Sequence, residues 1–475
     1  MIPARLVLPA IRWDPERKFD HDAIDRALAL GVGGFIVFGL NAIQGGRGVP
    51  ARHLRALIID VTARAGRPLL WASDLERGAG QQVAGLTELP PPAALASLGD
   101  PVLLRWAGWH TAREAHGVGI NWVLAPVCDL DIEPKNPIVQ TRAFGADGEE
   151  VGHAVAEWVA GARSGGVLAC AKHWPGHGRT TADSHDGVPV VSADARLLRE
   201  QDEAPFRAAI RAGVDGVMTA HVAFPALDPT EAPATFSAPI LARLRAVGFE
   251  GLIATDALVM GGALGGAGAA ALTAIAAGCD LLCYPADVEG TVHALAHATG
   301  AGITAKIDAA LRRYEAALAA ATARHPGPAP ADLTPDQVAD RLLSPGPRRA
   351  EFRAPVARVA LEIVDDDQGG AWPASPTTYL ADALRQAGVA TDGEPQGASR
   401  LLCAFAEPRA SKGRAGFSAE HRARLAHLAP KADLVVLFGH PRLAKEIPGD
   451  RPLLVAWHRQ KLMQEAVARW LVALR

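Results

Sequence analysis

Eight short apolar runs, spaced along the first 285 residues and separated by helical patterns, constrain this chain more than any other feature. They read "RLVLPAI", "GGFIVFG", "PLLWASD", "NWVLAPV", "VLACAKH", "DGVMTAH", "GLIATDA" and "CDLLCYP". Such near-continuous apolar strands belong to a parallel sheet buried on both faces, because an exposed face would alternate polar and apolar residues. Between them lie amphipathic stretches such as "DAIDRALALG" and "EEVGHAVAEWVAGARSGG". Eight strand–helix units over some 320 residues predict a (β/α)8 barrel. A doubly wound open sheet is the alternative, and the lack of a G-x-G-x-x-G after the first strand weighs against it.

After "LAAATARH" the composition turns rich in proline and charge, which predicts a linker over 323–350 holding one short helix. Beyond it, "RVALEIVDD", "RLLCAFAE", "DLVVLFGH" and "PLLVAWHR" alternate with helical patterns. The expected organisation is therefore a barrel over 1–322, the linker, and a small α/β domain over 351–475.

Charge and cysteine content exclude several classes. Lys plus Arg total 48 against 51 Asp plus Glu, which leaves no basic footprint for nucleic acid or an anionic membrane. The amino terminus lacks the pattern of a secretory signal, so cytoplasmic residence is the expectation. The five cysteines sit mostly in apolar strands and are expected to be buried free thiols. Residues 257–278 are uncharged, but six glycines divide them into a loop and a short helix rather than a membrane span.

A barrel carries its chemistry where its strands end. The strand ends here supply Asp74, Lys172, His173, His221 and Asp256, all polar. Any one of them alone could be a helix cap or a solvated strand end. Their convergence on one rim points to a site.

The segment "KHWPGHGRTTADSH" that follows the fifth strand admits three readings. As a metal site it offers His173, His177 and His185, but Pro175, Gly176 and Gly178 deny the helix that metalloprotease histidines share. As a phosphate cradle it lacks the G-K-[ST] ending. As a loop carrying Asp183 and His185, it supplies a carboxylate that orients an imidazole suited to proton transfer near neutral pH. Retaining glycoside hydrolysis needs a carboxylate nucleophile and a proton donor, and Asp256 with His185 would fill both roles.

The chain resembles glycoside hydrolase family 3, and within it the β-N-acetylglucosaminidases. The carriers are "DLERGAGQQ", "APVCDLDIEPKNPIVQTRAFG", "AKHWPGHGRTTADSHDGVPVV", "VDGVMTAHVAFPALDP" and "LIATDALVMGGA", which come in the family's order. The resemblance implies that Asp256 is the nucleophile and that His185 and Asp183 form a His/Asp acid/base dyad. It implies that Asp74, Arg142, Lys172 and His173 bind the sugar hydroxyls, with His221 and Met260 near the sugar. No cofactor and no metal are implied, and the expected partner is a small carbohydrate. The acidic loop departs from the family's Asp-x-Glu-Gly-Gly-Arg, so Arg77 need not make the arginine contact found there. Trp174 replaces a phenylalanine, with core packing favoured over stacking on an aglycone. Nothing in the second domain matches the acid/base glutamate of the family's two-domain glucosidases.

The activity expected is retaining hydrolysis of terminal β-linked N-acetylglucosamine from muropeptide or chitin fragments. The runners-up are a glycoside phosphorylase that uses phosphate as acceptor and a β-glucosidase. A non-catalytic sugar-binding protein is the reading from another class. Oligomeric state is not legible.

Overall fold

The structure is a computed structural model, and it describes residues 2–14, 16, 18–39, 48–184, 187–260, 266–345, 357–367, 374–391, 397–408 and 412–474. All eight predicted strands form. Seven segments make one parallel sheet, running in space from Leu252–Ala254 through Gly216–Thr219, Leu168–Trp174, Trp122–Val123, Leu70–Ser73 and Gly34–Phe38 to Ala10–Arg12. Leu282–Cys283 closes the ring, pairing with Val7–Leu8 on one side and bridging to Ala254 through Leu281 on the other. Pro9 interrupts the first barrel strand, having no N–H to donate, and splits it into two short pieces. Every residue of Leu168–Trp174 is buried, as expected of a strand covered on both faces.

Two long helices of the ring begin where the sequence offers a side-chain acceptor. Asp100 caps Pro101–Gly117 through the amides of Val102 and Leu103, and Asp147 caps Gly148–Ser164 through those of Glu149 and Glu150. The two helices pack closely enough that a Cβ on Gly108 would lie 2.2 Å from the Trp158 carbonyl oxygen. The apolar stretch 257–278 contains a helix over Ala267–Ala277; residues 261–265 lie outside the described residues. No helix among the described residues is long and apolar enough to cross a membrane. All five cysteines are free and buried.

Among the described residues of the proline-rich stretch, one helix forms, Pro335–Leu342, with Thr334 and Gln337 making a capping box. The α/β domain that follows has a five-stranded sheet in the order Ser344–Pro345, Leu453–Val455, Leu434–Gly439, Ser399–Ala406, Val359–Asp365. Its first pair is antiparallel and the others are parallel.

The carboxyl edge of this second sheet meets the mouth of the barrel. Gln460 Nε2 donates to the Glu88 carbonyl at 3.0 Å, and His440 Nε2 lies 3.0 Å from Asp131 Oδ2. Arg442 also pairs with Asp131. Two sets of strand ends, one from each domain, therefore look onto one space.

Candidate active site

That space is a cavity of 840 Å3 lined from both domains. On the barrel side, the strand Leu70–Ser73 delivers Asp74 and Glu76, and the fully buried strand Leu168–Trp174 delivers Lys172 and His173. Lys172 Nζ donates to Asp74 Oδ1 at 2.6 Å and lies 2.8 Å from Glu76 Oε1. Arg142 grips the same Glu76 with two parallel bonds of 2.8 Å, Nε to Oε2 and Nη2 to Oε1. The result is an alternating cluster of two carboxylates and two cations, with Lys172 only 2 % exposed.

Burial opposes the charges on Glu76, Lys172 and Arg142, and their partners overcome it. It raises the Glu76 carboxyl, but Arg142 and Lys172 hold that group well below the usual carboxylate range. It lowers the Lys172 ammonium, but Asp74 and Glu76 hold that group above its ordinary value. All four side chains are fixed by one another before any ligand arrives, which is how a site presents a polar surface at little reorganisation cost.

The Lys172–His173 and Trp174–Pro175 peptides are cis. His173 Nδ1 lies 2.7 Å from Asp129 Oδ2, while Asp129 Oδ1 accepts from the amides of His173 and His177. One buried carboxylate thereby sets both the imidazole and the turn after it. Two glycines let that turn pass. Gly176 has φ +139°, and a Cβ on Gly178 would lie 2.1 Å from the Leu130 carbonyl oxygen. Arg179 holds the next stretch to Asp202 through bonds of 2.9 and 3.0 Å.

Asp256 lies two residues beyond Leu252–Ala254, on the cavity wall. Its Oδ1 accepts from the Ala257 amide at 2.7 Å, and Oδ2 is 4.0 Å from His173 Nε2. Burial works to raise its pKa, but His173, His221, the Ala257 amide and Lys172 together pull it below the usual value. An ionised, partly exposed carboxylate beside a clamp of cations suits nucleophilic attack rather than proton donation.

The remaining expected residues divide. Asp74, Arg142, Lys172, His173, Asp256 and Met260 line the cavity together. His221 is fully buried behind the wall; its Nδ1 meets Thr235 Oγ1 at 2.8 Å and its Nε2 meets the Ala257 carbonyl at 3.2 Å. It holds the segment that carries Asp256. Asp183 is buried, and its neighbour Ser184 lines the cavity, while His185 lies outside the described residues. Trp174 is fully buried, edge-on to Phe206, with Nε1 donating to the Ile240 carbonyl at 3.2 Å. Arg77 pairs with Glu88 at 3.1 Å, both on the cavity lining.

Four residues escaped the sequence reading: Glu76, Asp129, Glu407 and His458. Glu76 stands two residues after Asp74 in the same acidic loop, a spacing that could have flagged it. Asp129 stands two residues after the strand-like run "NWVLAPV". Glu407 ends "RLLCAFAE" as the barrel's acids end theirs, but nothing local tells that this second sheet faces the barrel.

A parallel barrel that gathers ion-paired carboxylates and one further ionised carboxylate, Asp256, at its strand ends has the architecture of a barrel-type active site. The chain belongs to glycosyl hydrolase family 3: residues 6–316 match the family's N-terminal domain. It is 35 % identical over 269 residues to a protein of Methylobacillus flagellatus named β-hexosaminidase, covering 54 % of this chain and 74 % of that one. A Cellulomonas fimi protein named β-N-acetylglucosaminidase/β-glucosidase is 34 % identical over 275 residues, 54 % of this chain; the match spans about half (48 %) of that relative's length.

Among solved structures, a family 3 β-N-acetylglucosaminidase from Paenibacillus sp. str. FPU-7 superposes with a TM-score of 0.83 at 25 % identity, covering 99 % of this chain and 96 % of that one. A β-glucoside phosphorylase bound to 2FGlc has the same TM-score at 19 % identity, covering 99 % and 91 %, and shares the fold.

Proposed function

We propose that this chain hydrolyses terminal β-linked N-acetylglucosamine with retention of configuration, acting on cell-wall muropeptide or chitin fragments. The observation that carries the reading is Asp256: an ionised carboxylate on the wall of a cavity whose facing side is the Asp74–Lys172–Glu76–Arg142 cluster. Sequence similarity to proteins named β-hexosaminidase supports the choice of sugar.

In this mechanism, the non-reducing sugar sits on Asp74, Lys172, Arg142 and His173, where charge-assisted bonds to its hydroxyls strengthen as the ring distorts. Asp256 attacks the anomeric carbon, the glycosidic C–O bond breaks, and His185, oriented by Asp183, gives its proton to the departing oxygen. Water then attacks the glycosyl–Asp256 ester, losing a proton to His185 and releasing the sugar as the β anomer.

The experiment is nitrophenol release from the β-N-acetylglucosaminide and the β-glucoside of nitrophenol, each with and without phosphate, on the wild type and on Asp256→Ala. Preference for the acetamido sugar, no stimulation by phosphate and loss of turnover in a folded Asp256→Ala are expected. Full activity of that variant overturns the assignment. A sugar 1-phosphate product moves the chain to the phosphorylases, and preference for the glucoside moves it to the β-glucosidases.

A further inference from the structure

The second domain contributes a carboxylate to the cavity that the chemistry above does not use. Glu407 follows the strand Ser399–Ala406 and lines the cavity with His458, Tyr379 and Lys461 of the same domain. In parallel α/β sheets, ligands bind outside the carboxyl ends of the strands, and here that edge is turned toward the barrel mouth. At 840 Å3, the cavity lies in the upper part of the roughly 300–1,000 Å3 that ligand sites span, leaving space beyond one sugar at the barrel's strand ends.

Glu407 is held firmly. Its own amide donates to Asp367 Oδ1 at 3.0 Å. Its Oε1 accepts from the Arg459 amide at 3.1 Å and faces His458 Nε2 at 3.0 Å. His458 Nδ1 accepts from the Gln460 amide at 3.2 Å, which puts the imidazole proton on Nε2, toward Glu407. Arg459 is in turn fixed by Asp365 and Asp367 at 2.7 and 3.0 Å. All of these side-chain contacts of Glu407 fall on Oε1. Among the described residues, no donor reaches Oε2.

We propose that Glu407 binds the leaving group of the reaction, its Oε2 accepting a hydrogen bond from a hydroxyl of the sugar beyond the scissile bond, and that Glu407 is not the proton donor. A carboxyl group that is to give up a proton must carry one at the working pH. Burial favours that state for Glu407, but His458, Arg459 and Arg77 outweigh it and keep the group ionised. The half-buried Tyr379 ring and the Lys461 ammonium give the same wall an amphipathic surface suited to a hydroxyl-bearing ring. The second domain thereby selects a carbohydrate aglycone over an aryl one. The inference rests on the glycosidase reading of the barrel site.

The test compares Glu407→Gln and Glu407→Ala with wild type on two substrates of one sugar, the β-1,4-linked disaccharide and the nitrophenyl glycoside, with and without azide. It is run for N-acetylglucosamine and for glucose. On the disaccharide, KM should rise about ten- to hundred-fold for Ala, as loss of a hydrogen bond to a charged group implies, and less for Gln, which keeps an acceptor oxygen. On the nitrophenyl glycoside both constants should stay within about twofold, and azide should yield no glycosyl azide.

A fall in kcat on the disaccharide with nitrophenyl turnover rescued by azide would make Glu407 the acid/base and overturn the proposal. Equal losses on both substrates, or none on either, would overturn it too. A wild type that cleaves only the glucose pair refutes the proposed substrate while still deciding the role of Glu407. One that cleaves neither overturns both.

Discussion

Replacing Glu76 by glutamine tests the logic of the cation–carboxylate cluster most directly. The Glu76 side chain is 4 % exposed and takes three close contacts, two from Arg142 and one from Lys172, each 2.8 Å long. The glutamine amide would keep one acceptor oxygen but turn an NH2 toward a cation that needs an acceptor. One donor is then unmet in a place water hardly reaches, costing about 1–3 kcal/mol. The two cations would also share only Asp74 as a neighbouring carboxylate in the cluster, and breaking a buried ion pair from one side costs about 3–5 kcal/mol in all. That is a large fraction of the roughly 5–15 kcal/mol by which folded proteins are stable.

Urea denaturation should show the midpoint falling at an unchanged slope. The control is Glu88→Gln, which breaks a partly exposed pair with Arg77 and should cost at most about 1 kcal/mol. Adding Arg142→Met to Glu76→Gln should recover part of the loss, because the orphaned charge goes with it. A Glu76→Gln loss under about 1 kcal/mol, or strict additivity in the double variant, would refute the claim that these groups are fixed by mutual pairing.

Two further outcomes follow from buried groups near the loop after the fifth strand. Burial pushes the His177 pKa down to about 4 from the ordinary 6.5, so the folded state binds fewer protons than the unfolded one between those values. Its contribution is present above about pH 6.5 and lost as pH falls toward 4, on the order of 3 kcal/mol in total; His177→Gln should flatten stability across that window, and an unchanged acid slope would count against it. Trp174→Phe should lower stability by about 1–3 kcal/mol through the lost bond to the Ile240 carbonyl, with KM for disaccharide unmoved, whereas a raised KM would mean that the ring stacks on ligand.

The barrel was legible because its determinant is local. A strand buried on both faces must be apolar along its length, as Leu168–Trp174 is through Cys170, so eight such runs could be counted without coordinates. The strand ends then located Asp74, Lys172, His173 and Asp256, since a parallel ring brings all its carboxyl ends to one rim. Glu76 was within reach of the same argument and was missed because it lies three residues past Ser73, where its strand ends, and two past Asp74. His221 shows where that argument stops. It too ends a strand, yet it turns behind the wall to bond the Ala257 carbonyl, a choice set by Thr235, fourteen residues away.

Pairing was the part only the tertiary structure decided. Which carboxylate stays ionised depends on neighbours distant in sequence: Glu76 on Arg142 and Lys172, Asp129 on His173, Asp256 on His173 and His221. The docking of the second domain is likewise not written in any local pattern. It rests on a buried apolar cluster shared by the two domains and on contacts such as Gln460 to the Glu88 carbonyl and His440 to Asp131, made across more than 300 residues of chain. Periodicity and strand-end chemistry are properties of short segments and survive in the sequence. Charge state and the far wall of the cavity come from long-range packing, where burial and partner distance, rather than residue type, set the energy.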